Sequence, residues 1–329
     1  MIKLLLTGGT GFLGRSFLRM ILKEQASSKY IWINITVMSR SPENFRNKYP
    51  EFYGHSWLKI FKGDVMHPSS FPKSSQFTHL MHAATDSASR DKYTDLERHD
   101  QIVFGTRNAL EYSVKNNIGR FLFISSGAVY GKNTEHDTLD EGLLTGANPL
   151  QSKNAYSVAK YEAEHLCALY GEMYNIEYII ARCFAFIGSD LAHAPNFAII
   201  NFITDSLWNK EIIIKGDGLA CRTYLYQDDL AYWLRVILIN GLSGQAYNVG
   251  SDEVVSISEL AYLVRDIVSP GKLVRILGKQ KERDVKIDKY IPNVTKAKLE
   301  LGLNVRISLA ESIHKTAVAI KKSTYLNIN

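Results

Sequence analysis

Tyr156 and Lys160 stand four residues apart in the run Ala155-Tyr-Ser-Val-Ala-Lys160. On a helix that spacing puts both side chains on one face, with Cβ atoms about 5–6 Å apart. A phenol titrates near ~10 and is a poor base at neutral pH. An ammonium ~4 Å away, at an effective dielectric of ~20, favours the phenolate by up to ~4 kcal/mol, roughly three pKa units before desolvation opposes it. Such a pair can move a proton to or from an oxygen near neutrality. Two exposed residues at this spacing would mean nothing by themselves. They gain meaning from Ser125-Ser126, about 30 residues upstream at the end of an apolar run, and from a glycine-rich loop at the chain start.

That loop reads TGGTGFLG at 7–14. Gly8 permits a tight turn, Gly11 lets a pyrophosphate approach the backbone, and Gly14 lets the following helix pack closely. The helix that opens there offers free N–H groups at Phe12, Leu13 and Gly14 and the positive end of its dipole, a natural phosphate site. A dinucleotide is the expected ligand. About 25 residues on, the next apolar run ends Val37-Met38-Ser39-Arg40. An acid there would bind a ribose 2′-hydroxyl and favour NAD(H). Arg40 can instead pair with a 2′-phosphate, so NADP(H) is favoured and NAD(H) is the alternative.

These residues need a scaffold, and the hydrophobic pattern supplies one. Strands are expected at 3–7, 33–38, 58–63, 79–82, 120–125 and 177–182, and helices at 12–22, 95–116 and 155–174. Strands alternating with helices make βαβ units and a parallel sheet. Continuous apolar runs such as FLFI fit strands covered on both faces. The expected fold is a doubly wound Rossmann sheet of six or seven strands over residues 1–182, rejoined by about 226–250. A smaller, less regular substrate-binding domain follows at 183–329, with a turn at Ala194-Pro-Asn196, a short IIIK strand, and helices at 258–268 and 308–321.

Composition sets the outer bounds. The 329 residues are 46% hydrophobic and 22% charged, which excludes a disordered or fibrous chain. Cys167, Cys183 and Cys221 form no CxxC pair, so neither a disulfide framework nor a metal site is expected. The net charge of +6 is mild and scattered, and no nucleic-acid partner is expected. No apolar stretch approaches the ~20 residues of a membrane span, and no signal-peptide core forms before Thr7-Gly8-Gly9. A soluble, cytoplasmic protein is expected.

The ordered motifs sharpen this reading. The glycine loop, GDV at 63–65, HAAT at 82–85, SSGAVYG at 125–131, Tyr156 to Lys160, ARCFAFIG at 181–188, CRTYLYQDDLA at 221–231 and YNVGS at 247–251 run in one order along the chain. Together they resemble the extended short-chain dehydrogenase/reductases, the NAD-dependent epimerase/dehydratase family acting on nucleotide sugars. The resemblance implies a catalytic set of Ser126, Tyr156 and Lys160, the serine being fixed by counting back from Val129-Tyr130-Gly131. Ser126, with Gly127 and Tyr156, would meet the substrate, and Lys160 would also hold the nicotinamide ribose. Asp64, with Val65, would meet the adenine, although it also reads as a turn residue. Ala83, Ala84 and Thr85 would lie along the cofactor. Arg222 would clamp the substrate pyrophosphate, although it also reads as a surface strand arginine, and Arg283 is a second candidate phosphate contact. His82 reads as a packed, hydrogen-bonded residue. A homodimer through the helices at 95–116 and 155–174 is implied as well.

Three departures bear on the reaction. Dehydratases of this resemblance carry an Asp-Glu pair where this chain has Gly127 and Ala128, so elimination of water lacks its proton carriers. Ala185 stands where an asparagine usually contacts substrate, and Gln101-Ile102 replaces another. The favoured reading is NADPH-dependent reduction of a nucleotide-diphospho-4-keto-6-deoxyhexose. Nucleotide-sugar 4-epimerisation is the alternative, 4,6-dehydration comes third, and a non-catalytic dinucleotide sensor is disfavoured by the intact proton shuttle.

Overall fold

The computed structural model describes residues 1–27, 32–73, 76–85, 93–191, 197–278 and 286–326. In chain order the strands are β1 (Ile2–Thr7), β2 (Ile33–Ser39), β3 (Leu58–Lys62), β4 (His79–His82), β5 (Arg120–Ser126), β6 (Glu177–Cys183), β7 (Phe186–Ile187), β8 (Glu211–Ile214), β9 (Cys221–Thr223), β10 (Leu225–Tyr226), β11 (Gln245–Val249), β12 (Val254–Ser256), β13 (Leu273–Ile276) and β14 (Lys289–Tyr290). The helices are α1 (Phe12–Ser27), α2 (Pro42–Lys48), α3 (Asp95–Lys115), α4 (Ala155–Tyr174), α5 (Ala198–Trp208), α6 (Gln227–Asn240), α7 (Ile257–Val268), α8 (Thr295–Leu301) and α9 (Leu309–Leu326).

The central sheet has seven strands in the order β11-β6-β5-β4-β1-β2-β3. The first six strands of the chain pair in parallel, as the continuous apolar runs require. The order reverses between β1 and β4, and in doubly wound sheets ligands bind at the carboxyl ends beside such a reversal. Leu4, Leu5, Leu6, Phe121 and Phe123 are fully buried.

Helices α3 and α4 pack against each other over one region of this sheet. Along α4 the buried positions Ala159, Ala163 and Cys167 recur every four residues, and their small side chains allow close approach. A capping box fixes the start of α3: the Thr94 side chain accepts from the Glu97 backbone N–H, and Glu97 accepts from the Thr94 N–H. Asn175, in the left-handed region, ends α4.

The chain divides into two compact units. The first comprises 1–131, 144–183 and 231–247 and holds most of the sheet. Against the expected span of 1–182, residues 132–143 cluster with the second unit, and the rejoining stretch runs 231–247. The second unit builds its core from α5, α7 and α9, with Ile199, Ile203, Leu260, Val264 and Ile313 buried. The parallel pair β8 and β13 accompanies these helices, and β9 lies between β12 and β14. The helices α2, α6 and α8 were not expected from the pattern. In α6 the residues Leu230, Ala231, Trp233, Leu234, Val236, Ile237 and Leu238 are all buried, and only a narrow stripe of Asp228, Tyr232, Arg235 and Ile239 faces outward. The Ala194-Pro-Asn196 turn lies outside the described residues.

Candidate active site

The glycine loop joins β1 to α1. Gly8 has φ +74°, and a Cβ there would stand 2.3 Å from the Ala83 carbonyl oxygen. The loop thus lies directly on the backbone that follows β4, where Ala83 N–H donates to the Thr7 carbonyl. Around Gly11, by contrast, a Cβ would meet only the Gly8 oxygen at 3.3 Å. That open approach, beside a helix start with no acid in its first turn, fits a pyrophosphate. Gly14 packs on Gly9 of the loop itself, at 2.3 Å from a would-be Cβ, rather than on a strand. Phe12 and Leu13 form the first turn of α1.

The other cofactor candidates sit at or just beyond neighbouring strand ends. Arg40 follows β2, is exposed, and donates to the Tyr93 hydroxyl at 2.7 Å. Asp64 Oδ1 accepts from the Met66 N–H at 3.0 Å, the turn role that its position also predicted. The Val65 carbonyl accepts from the Asn108 side chain at 2.8 Å, tying this turn to α3.

Ser126 ends β5, and its Oγ accepts from the Ala128 N–H at 3.2 Å. It also hydrogen-bonds the phenol of Tyr156, in the first turn of α4. Lys160, one turn further, is 2% exposed and donates to the Ile124 carbonyl at 2.7 Å and to Thr85 Oγ1 at 3.0 Å. Its ammonium lies 4.7 Å over the Phe123 ring. Ser126, Tyr156, Lys160 and Thr85 therefore meet in one cluster, with Gly127 buried at the turn after Ser126.

The electrostatics correct one expectation. Burial pushes the Tyr156 phenol up to about 12; the nearby Cys183 adds to this, and the Ser126 bond and Arg98 oppose it. The expected lowering by Lys160 does not occur. Its ammonium is directed at the β5 carbonyl and Thr85, and burial lowers its own pKa to about 8. Desolvation penalises the charged form of each group. Arg98 of α3, a position the sequence did not single out, is the cation that weakly opposes this rise. The one sequence signal was its helical spacing with buried Ile102 and Thr106.

His82 is buried at the end of β4 and shares a 2.7 Å hydrogen bond with Thr7 Oγ1. Burial, with Lys160, holds it down to about 3, so it is neutral and packed, as expected. Arg222, in the second unit, is ion-paired to Asp288 at 2.6 Å, so its charge is already matched inside that unit. Arg283 lies outside the described residues. Also missed were Glu164 and Arg182, paired at 2.7 Å beside Ser125. Among the described residues no group of three or more His, Cys, Asp or Glu could hold a metal ion, and no helix is long and apolar enough to cross a membrane.

The chain is 26% identical to a UDP-glucuronic acid decarboxylase 1 of Danio rerio over 315 residues, 95% of this chain and 71% of the relative. It is 23% identical to a dTDP-glucose 4,6-dehydratase of Streptomyces griseus, over 95% of this chain and 92% of the relative. Among solved structures it resembles a UDP-glucuronic acid 4-epimerase of Bacillus cereus in complex with UDP-glucuronic acid and NAD, with TM-score 0.81, 22% identity and coverage of 98% and 100% of the two chains. It also resembles DesIV, a dTDP-glucose 4,6-dehydratase of Streptomyces venezuelae with NAD bound, with TM-score 0.82, 22% identity and coverage of 99% and 98%. The family model for NAD dependent epimerase/dehydratases matches residues 4–250, and with its parallel sheet, glycine loop and Tyr-Lys helix the chain belongs to that family.

Proposed function

We propose that this protein reduces the 4-keto group of a nucleotide-diphospho-6-deoxyhexose, using NADPH. The observation that carries this is the end of β2, where Ser39 and Arg40 stand in place of a carboxylate. The residues that would hold the dinucleotide are the loop glycines 8, 11 and 14 with Phe12 and Leu13, then Arg40, Asp64, Val65, Ala83, Ala84, Thr85, Tyr156 and Lys160. When bound, NADPH supplies the hydride. Ser126 holds the keto oxygen by a hydrogen bond. Tyr156, kept protonated at neutral pH by burial, donates the proton that the oxygen needs as it becomes a hydroxyl. Lys160 braces the site through Thr85 and Ile124. Gly127 and Ala128 carry no acid or base, which disfavours elimination of water. Arg222 is the candidate contact for the sugar-nucleotide pyrophosphate, and would have to exchange its Asp288 partner to serve.

A second reading, 4-epimerisation with retained NAD, is favoured by the resemblance to a solved 4-epimerase with NAD bound. The two part in one assay. With a dTDP-4-keto-6-deoxyhexose, a reductase consumes NADPH stoichiometrically, whereas an epimerase interconverts 4-hydroxy sugars with no net change in reduced-nicotinamide absorbance. Turnover of a saturated sugar without added NADPH would reject the reductase; a product changed only in its C4 configuration would then favour the epimerase, and a keto-sugar product the dehydratase. The proposed setting is cytoplasmic, as a homodimer built through α3 and α4.

A further inference from the structure

Glu164 lies two turns beyond Tyr156 on α4, so Tyr156, Lys160 and Glu164 follow one another at intervals of four. Its carboxylate is nearly buried and accepts from three directions. Ser125 Oγ donates to Oε1 at 2.5 Å. Arg182 of β6 donates through Nε at 3.1 and 3.2 Å and through Nη2 to Oε2 at 2.7 Å. The same guanidinium donates from Nη1 to the Tyr130 hydroxyl at 3.0 Å and sits 4.9 Å over the Tyr130 ring. Both charged side chains are almost out of water, at 13% and 10% exposure.

A buried ion pair is a poor way to gain stability, since desolvation can cancel its attraction and an apolar pair of similar size often serves as well. This pair does something an apolar one could not. Ser125 precedes Ser126, and Tyr130 closes the short helical turn that begins right after it. In the sheet Ser125 is the register partner of Arg182, and Ser126 that of Cys183. The network therefore grips the chain on both sides of Ser126 and fastens it to the helix that bears Tyr156.

We propose that Glu164 and Arg182 are positioning residues, a clamp that holds the β5 end so that Ser126 stays in hydrogen-bonding register with Tyr156. The proposal rests on the assignment of Ser126 and Tyr156 to the reaction.

Two variants test it. Glu164→Leu/Arg182→Met removes both charges together, so no lone buried charge remains. Ser125→Ala/Tyr130→Phe leaves the ion pair in place and removes only the two hydroxyls it holds. Three quantities are read: amide hydrogen exchange, dinucleotide affinity, and turnover of dTDP-4-keto-6-deoxyglucose with NADPH per dinucleotide-binding site. In both variants the amides of 126–131 should exchange at least about tenfold faster, while those of β1 stay protected. The dinucleotide Kd should hold within about twofold, and kcat should fall about tenfold or more with little change in the dinucleotide KM. If either variant, folded, keeps wild-type kcat and wild-type exchange at 126–131, the clamp is rejected and the pair is merely structural. Wild type and Tyr156→Phe run alongside. If wild type does not turn over the keto sugar, the reductase reading fails, and the exchange at 126–131 then decides the clamp by itself.

Discussion

Arg40→Ala is the most direct probe of cofactor choice. The guanidinium is exposed at the end of β2 and anchored by one N–H to the Tyr93 hydroxyl. Arginine carries five N–H donors in a planar fork, so the remaining edge can still meet a phosphate. A 2′-phosphate bears nearly two negative charges. A hydrogen bond between ionised partners is worth about 1.5–3 kcal/mol, or roughly 10- to 150-fold in affinity. Exposure and salt screening pull the value toward the lower end. NADPH should therefore bind at least about tenfold more tightly than NADH, and Arg40→Ala should erase most of that gap by weakening NADPH alone. Calorimetric titration of both dinucleotides, at low and at physiological ionic strength, measures it. The preference should shrink as salt rises. Equal affinity of the wild-type protein for the two dinucleotides would refute the reasoning, and so would a variant that loses both equally.

Tyr156→Phe should lower turnover by a factor on the order of 10² or more at nearly unchanged dinucleotide affinity, and near-wild-type rates would remove Tyr156 as the proton donor. Lys160→Ala should impair both turnover and dinucleotide binding, because its ammonium braces Thr85 and the β5 end, as steady-state kinetics and titration together would reveal. His82 titrates near 3 in the fold against 6.5 unfolded, so below the unfolded value the unfolded chain binds the extra proton and stability falls with pH. The unfolding free energy from urea titration should drop by roughly 2–3 kcal/mol between about pH 7 and pH 4.5 from this residue, and His82→Gln should flatten that part of the slope. Leu96 and Phe104 on α3 and Tyr161 and Met173 on α4 are exposed, and a homodimer would cover them. Sedimentation at micromolar concentration should then find a dimer, and a monomer would count against it.

The elements that carry the chemistry were legible because their patterns are strong. The strand runs at 33–38, 79–82, 120–125 and 177–182 fall within a residue of β2, β4, β5 and β6, and the helix at 155–174 coincides with α4. Asn175, in the left-handed region, marks the end of α4 as well. Much of what escaped depends on packing that the local run does not show. The helix α6 shows outward only the narrow stripe Asp228, Tyr232 and Arg235 between long apolar runs, which is easily read as strand. Glu164 looks like an ordinary surface glutamate until β6 brings Arg182 to it. Arg98 shares a helical spacing with the buried Ile102 and Thr106, but only the packing of α3 on α4 gives that spacing meaning.

The same limit explains the one wrong sign at the site. From sequence, Lys160 at four residues from Tyr156 reads as the cation that acidifies the phenol, because spacing fixes proximity and proximity fixes the Coulomb attraction. Spacing does not fix where the ammonium points or how much water is lost. In the fold the ammonium bonds the Ile124 carbonyl and Thr85, the phenol is pushed up to about 12, and the ammonium down to about 8. Both groups shift toward their neutral forms, as burial without a direct pair demands. A neutral phenol bonded to Ser126 is equipped to give a proton, and a reaction that begins by removing one would first have to overcome that shift. The proposed direction of reduction rests on Arg40, and the dinucleotide affinities can overturn it; the Tyr156→Phe rates test whether the phenol moves the proton at all.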